Sequence, residues 1–357
     1  MRIAASATRR PEVPGDRDAT TSRHVPGDHS PHPDDPWLVA DIGGTHARFG
    51  LVGELGGEPY EVRILRCAEF PDLVAAVENY LDRLTSGTRP AMACAAVAGP
   101  VRGDRFRLTN AHWDFSISES RMRLGLERLE LINDFTALAL AVPELPDTAF
   151  VRIGNGVRWA AEPMAVIGPG TGLGVSGLMR VRRQWIAIPG EGGHAGLPVE
   201  TEREMQVARV LREQHPVVDA ETALSGPGLG RLYRALCVVH GVRPAAGQPE
   251  QVCTAGRRGT DDVAREALSM FCGMLGAFAG NVALTLGARG GVLLGGGILP
   301  GIVDFLADSD FRERFIGNRS LAGYLDNVAT ELIVAATPAL RGAAVALEQH
   351  RLTPEPA

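Results

Sequence analysis

From residue 37 onward, short apolar runs alternate with turn-forming segments, which is typical of an α/β protein. Three runs with strand character are followed by a segment whose apolar residues recur at helical spacing. A continuous run of small apolar residues then indicates a strand that is buried on both faces. The predicted strands cover residues 38–41, 48–52, 60–65 and 91–98, and the predicted helix covers residues 72–84.

The same order of elements recurs downstream. A short apolar strand, a Gly-Thr turn, a return strand and a third strand occupy residues 165–168, 169–172, 175–179 and 184–188. The two turns coincide when the second Gly-Thr pair is aligned with the first. The repeat is short, but two copies of one hairpin imply two similar domains that face a shared cleft.

Residues 1–36 differ in composition from the rest of the chain. They are rich in Pro, Asp, His, Arg and Thr and contain almost no large apolar residue. We interpret them as a disordered extension or as the product of a misassigned start codon. A secretory signal needs an apolar core that this segment lacks, and its acidic residues weaken the alternative of an organelle transit peptide.

An uncharged stretch at residues 267–288 is long enough to span a bilayer. A second apolar run, at residues 291–302, follows it at once and is too short to span. A buried helix that leads into a buried strand explains both runs together. We therefore predict a core helix and no membrane partner.

Composition excludes several function classes. The chain has 357 residues, enough for two domains, and its net charge of −6 offers no basic field for a nucleic acid or an anionic membrane. It contains no lysine, which excludes a Walker A loop and Schiff-base chemistry. The five cysteines form no C-x-x-C pair, which indicates a reducing compartment and argues against a zinc cage.

Residues 41–45 read Asp-Ile-Gly-Gly-Thr. Gly43 and Gly44 allow a tight turn and a close approach to a phosphate, and Thr45 adds a hydroxyl donor. Asp41, at the end of a strand, could hold Mg²⁺ through water. An ordinary glycine-rich hairpin is the alternative.

Residues 168–174 read Gly-Pro-Gly-Thr-Gly-Leu-Gly and do not fit G-x-G-x-x-G, which argues against a dinucleotide-binding dehydrogenase. A second Gly-Thr turn instead favours nucleotide phosphates held between two loops. The candidate contacts in this loop are Gly168, Gly170, Thr171 and Gly172.

Three glycines, Gly295, Gly296 and Gly297, follow a predicted buried strand. They permit the close approach of a flat ligand such as adenine, but a tight strand-to-helix turn explains them equally well.

Asn133 and Asp134 stand where a predicted buried strand meets a helix. A carboxylate at this end of a strand faces the cleft of an open α/β sheet, where Asp134 could accept a proton from a sugar hydroxyl. A helix cap is the alternative, since both residue types favour that position.

Glu191 and His194 lie three residues apart in a glycine-rich segment, and both could reach one ligand. Hydrogen bonds to sugar hydroxyls suit a carboxylate and a neutral imidazole. A further acid, Glu221, precedes another glycine-rich segment, and a solvated helix residue is its alternative interpretation.

Taken in order, these motifs resemble the bacterial glucokinase family of the hexokinase–actin–Hsp70 superfamily, over about residues 37–347. The segments that carry the resemblance are DIGGTHARFGLV from Asp41, VAGPVRGDRFRLTNAHWDFSI from Val97, LINDFTALALAVPEL from Leu131, GPGTGLGVSGL from Gly168, IPGEGGHAGLP from Ile188, LSGPGLGRLYRAL from Leu224 and GNVALTLGARGGVLLGGGI from Gly280.

The resemblance implies two ribonuclease-H-like (actin/hexokinase-type) α/β domains with a cleft between them. The small domain would comprise residues 37–144 plus 338–357, with the last helix returning to it, and the large domain would comprise residues 145–337. The implied protein is a cytoplasmic homodimer that phosphorylates glucose to glucose 6-phosphate with ATP and Mg²⁺.

The resemblance also implies a role for each candidate residue. Asp134 would be the general base on the sugar 6-hydroxyl. The residues that hold the sugar would be Asn133, Glu191, His194 and Glu221. The phosphates of ATP would lie against Gly43, Gly44, Thr45, Gly170, Thr171 and Gly172, and the adenosine against Gly295, Gly296 and Gly297.

The chain departs from one branch of this family. That branch has a cysteine cluster and a structural zinc after its Glu-x-Gly-His motif, whereas Ala-Gly-Leu-Pro follows His194 here. We therefore expect no zinc and a sugar contact for His194. The sequence leaves open a related hexose as substrate, polyphosphate or ADP as phosphoryl donor, and a non-catalytic sugar sensor.

Overall fold

In the computed structural model, the described residues are 30–85, 87–108, 112–245, 247–317 and 320–351. Most of the predicted disordered extension, residues 1–29, lies outside them. Its last residues are described: the backbones of His32 and Asp35 form a reciprocal pair of hydrogen bonds, and Pro36 is buried. Defined backbone structure is therefore present ahead of the predicted boundary at residue 37.

The described residues contain thirteen strands, which form two large sheets and a two-stranded ribbon. The strands are β1 (Trp37–Ile42), β2 (His46–Val52), β3 (Tyr60–Arg66), β4 (Met92–Val97), β5 (Arg105–Arg107), β6 (Asp114–Ser116), β7 (Arg128–Asn133), β8 (Phe150–Arg152), β9 (Met164–Pro169), β10 (Leu173–Val181), β11 (Gln184–Gly190), β12 (Gly291–Leu294) and β13 (Thr330–Ile333).

Twelve α-helices lie within the same described residues. They are α1 (Leu73–Leu81), α2 (Ile117–Arg123), α3 (Asp134–Ala141), α4 (Glu202–Gln214), α5 (Ala220–Ala223), α6 (Gly226–His240), α7 (Pro249–Arg258), α8 (Asp262–Leu286), α9 (Val303–Ala307), α10 (Phe311–Ile316), α11 (Ala322–Asp326) and α12 (Pro338–Arg351). Single 3₁₀ turns occur at Cys67–Glu69, Val142–Glu144, Asp147–Ala149, Gly192–His194 and Leu299–Ile302.

The predicted repeat is confirmed in the order of the strands. The first sheet runs β3-β2-β1-β4-β7, with β1, β2 and β3 antiparallel and β1, β4 and β7 parallel. The second sheet runs β11-β10-β9-β12-β13 with the same pairing directions, and β8 adds an antiparallel edge. Each sheet is thus a hairpin and a third strand joined to two parallel strands, and the two Gly-Thr turns occupy equivalent places.

Local sequence explains these elements. All six residues of β4 are buried, as expected for a continuous apolar run in the centre of a sheet. Helix α1 begins where the Asp72 side chain accepts a hydrogen bond from the Ala75 amide. Helix α4 begins with a capping box between Thr201 and Glu204.

Helix α8 corresponds to the uncharged stretch that is long enough to cross a membrane. It is the one helix of that length and hydropathy in the described residues, and 72% of its most apolar window is buried inside the protein. Its glycines Gly276 and Gly280 lie against the backbones of Phe311 and Phe315, so close that a Cβ would overlap them. The helix leads directly into the buried strand β12, as the pattern predicts.

Helix α3 contacts both sheets and therefore links them. It packs against α12 and β4 on one side and against β9, β10 and β11 on the other. Helix α12 returns to the first sheet and packs on β1, β4 and α3, where Gly342 lies against the Ala137 carbonyl. Helix α3, which begins with Asp134, thus connects the first sheet to the hairpin of the second sheet.

Candidate active site

The first Gly-Thr loop connects β1 to β2 and is closed by a hydrogen bond from the Gly43 amide to the His46 carbonyl, at 3.0 Å. Asp41 and Arg48 face each other across these strands, with Arg48 Nη1 3.0 Å from Asp41 Oδ2. Burial raises the pKa of Asp41, and the Arg48 charge opposes that shift only in part. Arg48 was not singled out from the sequence.

Cys67 also supports the first loop. Its backbone amide donates to the Thr45 carbonyl at 2.9 Å, and its Sγ donates to the Gly43 carbonyl at 3.3 Å. The Trp113 indole in turn donates to the Cys67 carbonyl at 3.2 Å. A buried residue from outside the motif therefore fixes both ends of the loop that is predicted to meet phosphate.

The structure distinguishes the two interpretations of the Asn133-Asp134 pair. Asn133 Oδ1 accepts hydrogen bonds from the Phe135 and Thr136 amides, at 2.9 and 3.1 Å, so Asn133 is the N-cap of α3. Its Nδ2 donates to the Gly99 carbonyl at 3.4 Å. Asp134 is the first residue of the helix, and its Oδ1 accepts from the Phe135 amide at 3.0 Å.

The pKa of Asp134 is raised to about 7, and burial is the largest cause. The negative charges of Asp41 and Glu191 raise it further, and the hydrogen bond from the Phe135 amide opposes the shift. Asp134, Asp41 and Glu191 therefore belong to one electrostatic cluster. A carboxyl group with a pKa near 7 can take up a proton at neutral pH, as a general base must.

The second loop is held by close packing as well as by its own turn. The Gly170 amide donates to the Gly172 carbonyl at 2.8 Å. The Phe135 ring lies against Gly168 and Gly174, so these two glycines are needed for contact with α3. No atom of the described residues lies within 4 Å of a Cβ placed on Gly170, so this position is open to a ligand.

The glycines after β12 lie beside this second loop. The Gly295 amide donates to the Ile167 carbonyl at 2.8 Å. Gly296 adopts a φ of +84°, and a Cβ at this position would overlap the Pro169 carbonyl. The Gly226 amide, at the start of α6, donates to the Gly170 carbonyl at 2.8 Å. The turn at 295–297 is thus a tight strand-to-helix connection that also packs against the second loop.

The Glu-x-x-His segment and Glu221 come together on the other side of that loop. His194 Nδ1 lies 2.9 Å from Asp219 Oδ2, and Glu221 Oε2 accepts a hydrogen bond from the Leu173 amide at 2.8 Å. The hydrogen bond to Asp219 is the largest cause that raises the pKa of His194, and the charges of Glu221 and Glu191 also raise it. Glu191 acts on both Asp134 and His194, so it lies near both groups.

These side chains offer little to a resident metal ion. In the described ranges, no group of three or more His, Cys, Asp or Glu residues is arranged to hold one. The carboxyl groups of Asp41 and Asp134 are the candidate oxygen ligands near the first loop.

Comparison with known proteins shows which family has this arrangement. A sequence model of the glucokinase family matches residues 38–350, which includes every motif described above. The chain belongs to the glucokinase family.

Individual glucokinases agree with this assignment. The glucokinase of Saccharophagus degradans is 42% identical over 317 residues, covering 88% of this chain and 98% of that protein. The glucokinase of Aromatoleum aromaticum is 45% identical over 313 residues, covering 88% and 95%. A crystal structure of glucokinase from an Antarctic psychrotroph aligns with a TM-score of 0.79 and 37% identity, covering 88% and 99%.

These matches confirm the predicted family, the two-sheet α/β fold and the activity class: the chain is a glucokinase-type enzyme that uses ATP to phosphorylate glucose. They do not assign roles to residues. Arg48, Cys67, Phe135 and Asp219 contribute to this glucokinase site, yet none was identified from the sequence. The sequence does suggest that Asp219 caps a helix, since Thr222 follows three residues later. It does not indicate the contact with His194, which is 25 residues away in the chain.

Proposed function

We propose that the chain transfers the γ-phosphoryl group of ATP to the 6-hydroxyl of glucose, with Asp134 as the general base. The observation that carries this assignment is the partly buried Asp134 carboxyl at the start of α3, whose pKa is raised to about 7. As the hydroxyl oxygen attacks the γ-phosphorus, its proton passes to the Asp134 carboxylate, and ADP leaves with the electron pair of the broken bond. A positioned base contributes about 10²- to 10⁴-fold to such a step.

The sugar would be held by Asn133, Glu191, His194 and Glu221. Asn133 Oδ1 is occupied by the helix cap, so its amide N–H is the group that meets a hydroxyl oxygen. The carboxylates of Glu191 and Glu221 accept hydrogen bonds from hydroxyl groups, and His194 adds a ring nitrogen. This set discriminates by hydroxyl geometry, because a missing partner would leave one of these groups unpaired.

The phosphates of ATP would lie between the two loops. In the first loop, Gly44 and Thr45 present backbone amides and a hydroxyl, and Gly43, whose own amide donates to the His46 carbonyl, allows the close approach of a phosphate. Asp41 lies next to this loop, near the end of β1. In the second loop, the open position at Gly170 and the exposed side chain of Thr171 face the ligand, next to Gly168 and Gly172. The turn of Gly295, Gly296 and Gly297 borders this second loop and would meet the adenosine.

Mg²⁺ fits this site as a companion of ATP. It takes oxygen ligands and is commonly bound by one or two carboxylates together with phosphates and water, which matches the few carboxylates at the first loop. Asp41 would hold it, through water, with the oxygen that Arg48 does not bind. Bound there, the cation would neutralise charge on the β- and γ-phosphates.

Three further parts of the proposal concern the whole protein. The enzyme acts in the cytoplasm, in line with its five free cysteines. It forms a homodimer, as the family resemblance implies. Residues 37–144 plus 338–357 form the small domain and residues 145–337 the large domain, since the first contains one five-stranded sheet and the second contains the other sheet.

A coupled assay of ADP release tests the proposal. Purified full-length protein with MgATP is supplied in turn with glucose, mannose, fructose, glucosamine and N-acetylglucosamine, and polyphosphate replaces ATP in a parallel series. We expect strong turnover with glucose and ATP. Turnover with another sugar alone would contradict the substrate assignment, and folded protein without turnover on any sugar would contradict the enzyme assignment.

A further inference from the structure

We propose that Asp219 is a positioning residue of the sugar site, which holds the His194 ring and the helix that carries Glu221 in one fixed geometry. This inference rests on the proposed function, because it concerns two of the side chains that would hold the sugar.

The two oxygens of the Asp219 carboxylate have different partners. Oδ2 lies 2.9 Å from His194 Nδ1. Oδ1 accepts from the Thr222 amide at 2.9 Å and from Thr222 Oγ1 at 2.6 Å, and so caps helix α5. One carboxylate therefore connects the His194 segment to the helix of Glu221.

Backbone contacts align the same two segments. Gly196 and Asp219 form an antiparallel bridge, and the Ala220 amide donates to the Ala195 carbonyl at 2.8 Å. Glu221 is anchored at its other end by the Leu173 amide, in the second loop. A displacement of Asp219 would therefore also displace His194, Glu221 and the second loop.

The contact also sets the tautomer of His194. With Nδ1–H donating to Asp219, Nε2 carries the lone pair of the neutral ring and accepts a hydrogen bond from a sugar hydroxyl. The His194 side chain is 57% exposed and that of Asp219 is 20% exposed, so the ring lies at the surface of the site while its partner lies below it. The charged groups that act on this ring are Asp219, Glu221 and Glu191.

Asp219→Asn tests the inference, because asparagine keeps the size and the capping ability of aspartate and removes its charge. We expect the KM for glucose to rise about three- to tenfold, as for the loss of one ordinary hydrogen bond, while the KM for ATP does not rise in proportion. In an NMR titration of the full-length protein, with the ring signals assigned by their loss in His194→Gln, the midpoint of His194 should move to lower pH. Combining Asp219→Asn with His194→Gln should add little to the effect of His194→Gln alone.

Asp261→Asn is the matched control. Asp261 caps α8 and accepts a hydrogen bond from the Tyr233 hydroxyl at 2.7 Å, and its hydrogen-bond partners in the described part of the chain include no histidine. The Asp261→Asn substitution should leave the titration midpoint of His194 and the KM for glucose unchanged. An unshifted His194 midpoint in Asp219→Asn would overturn the inference, as would equal rises in KM for both substrates. If the wild-type protein phosphorylates no sugar, the proposed function fails, and the NMR titration still decides whether Asp219 sets the state of His194.

Discussion

The Phe135 ring lies against Gly174, so that a Cβ on residue 174 would overlap it. Phe135 directly follows Asp134, and Gly174 is the second residue of β10, the return strand of the second hairpin. The proposed base is therefore fixed relative to the second loop by a contact between a ring and a backbone.

Gly174→Ala should disrupt this contact. An overpacked site of this kind usually costs about 1–3 kcal/mol of unfolding free energy, and here the shift would also move Asp134 away from the loop. We expect a lower midpoint of denaturant unfolding and a fall in kcat of at least about tenfold in the variant. Gly301→Ala is the control, because nothing lies within 4 Å of a Cβ at residue 301. Equal effects of the two substitutions would contradict the packing role of Gly174.

Asp134→Asn should reduce kcat by about 10²- to 10⁴-fold and leave the fold intact. The difference in unfolding free energy between this variant and the wild type should depend on pH. Because the folded pKa of about 7 lies above the ordinary value of 3.8, protonated Asp134 favours the folded state, and this contribution is lost as pH rises from about 4 through 7. The variant should therefore gain stability relative to the wild type over that interval, as measured by urea unfolding at pH 5 and pH 8. A kcat close to that of the wild type would reject Asp134 as the base.

The pH profile of kcat/KM for glucose should rise with pH and level off, with a midpoint near 7, because the free enzyme must present an ionised Asp134. Asp41 and Glu191 raise this midpoint, so Glu191→Gln should move it to lower pH. In Asp134→Asn the rising limb should disappear from the residual activity. His194→Gln serves as the control, since loss of the same limb in that variant would assign it to the imidazole instead.

Cys67→Ala should raise the KM for ATP about two- to tenfold, because it removes the thiol that donates to the Gly43 carbonyl at 3.3 Å. Cys67→Ser keeps a donor of similar size and should retain more of the affinity for ATP. Cys94→Ala removes another buried thiol, on β4 of the same sheet, and should not affect the KM for ATP. A rise of equal size for Cys67→Ala and Cys94→Ala would indicate a general loss of packing.

The sequence predicts the parts of this molecule that local pattern determines. The buried strand β4, the core helix α8 and the two Gly-Thr hairpins follow from apolar runs and turn residues. The prediction that the Asp134 carboxylate faces the cleft follows from the place of Asp134 at the end of a strand. Each of these depends on residues that are neighbours in the chain.

What the sequence does not predict depends on residues that are distant in the chain. His194 and Asp219 are 25 positions apart, and Cys67 and Gly43 are 24 apart, so no local spacing indicates their contacts. The glycines are a second case. The sequence assigns Gly168 to phosphate binding, whereas the structure places Phe135 against it, and only the packed structure distinguishes such a position from the open one at Gly170.

The contact between α12 and the first sheet gives the last prediction. His350 Nε2 lies 3.3 Å from Glu130 Oε2, on β7, but the pKa shifts oppose a charged pair. Burial raises the pKa of Glu130 to about 7 in spite of the Arg128 charge, and burial and Arg128 lower the pKa of His350. Desolvation therefore outweighs attraction at this contact.

We expect His350→Ala to change the unfolding free energy by less than about 1 kcal/mol, because desolvation cancels the attraction between the two groups. Protonated Glu130 favours the folded state, and the wild type loses this contribution as pH rises from about 4.5 through 7. Glu130→Gln should therefore be more stable relative to the wild type at pH 8 than at pH 5. Urea unfolding of both variants at the two pH values measures this. If His350→Ala and Glu130→Gln destabilised the protein equally at pH 8, the two side chains would instead form a stabilising ion pair that secures the last helix.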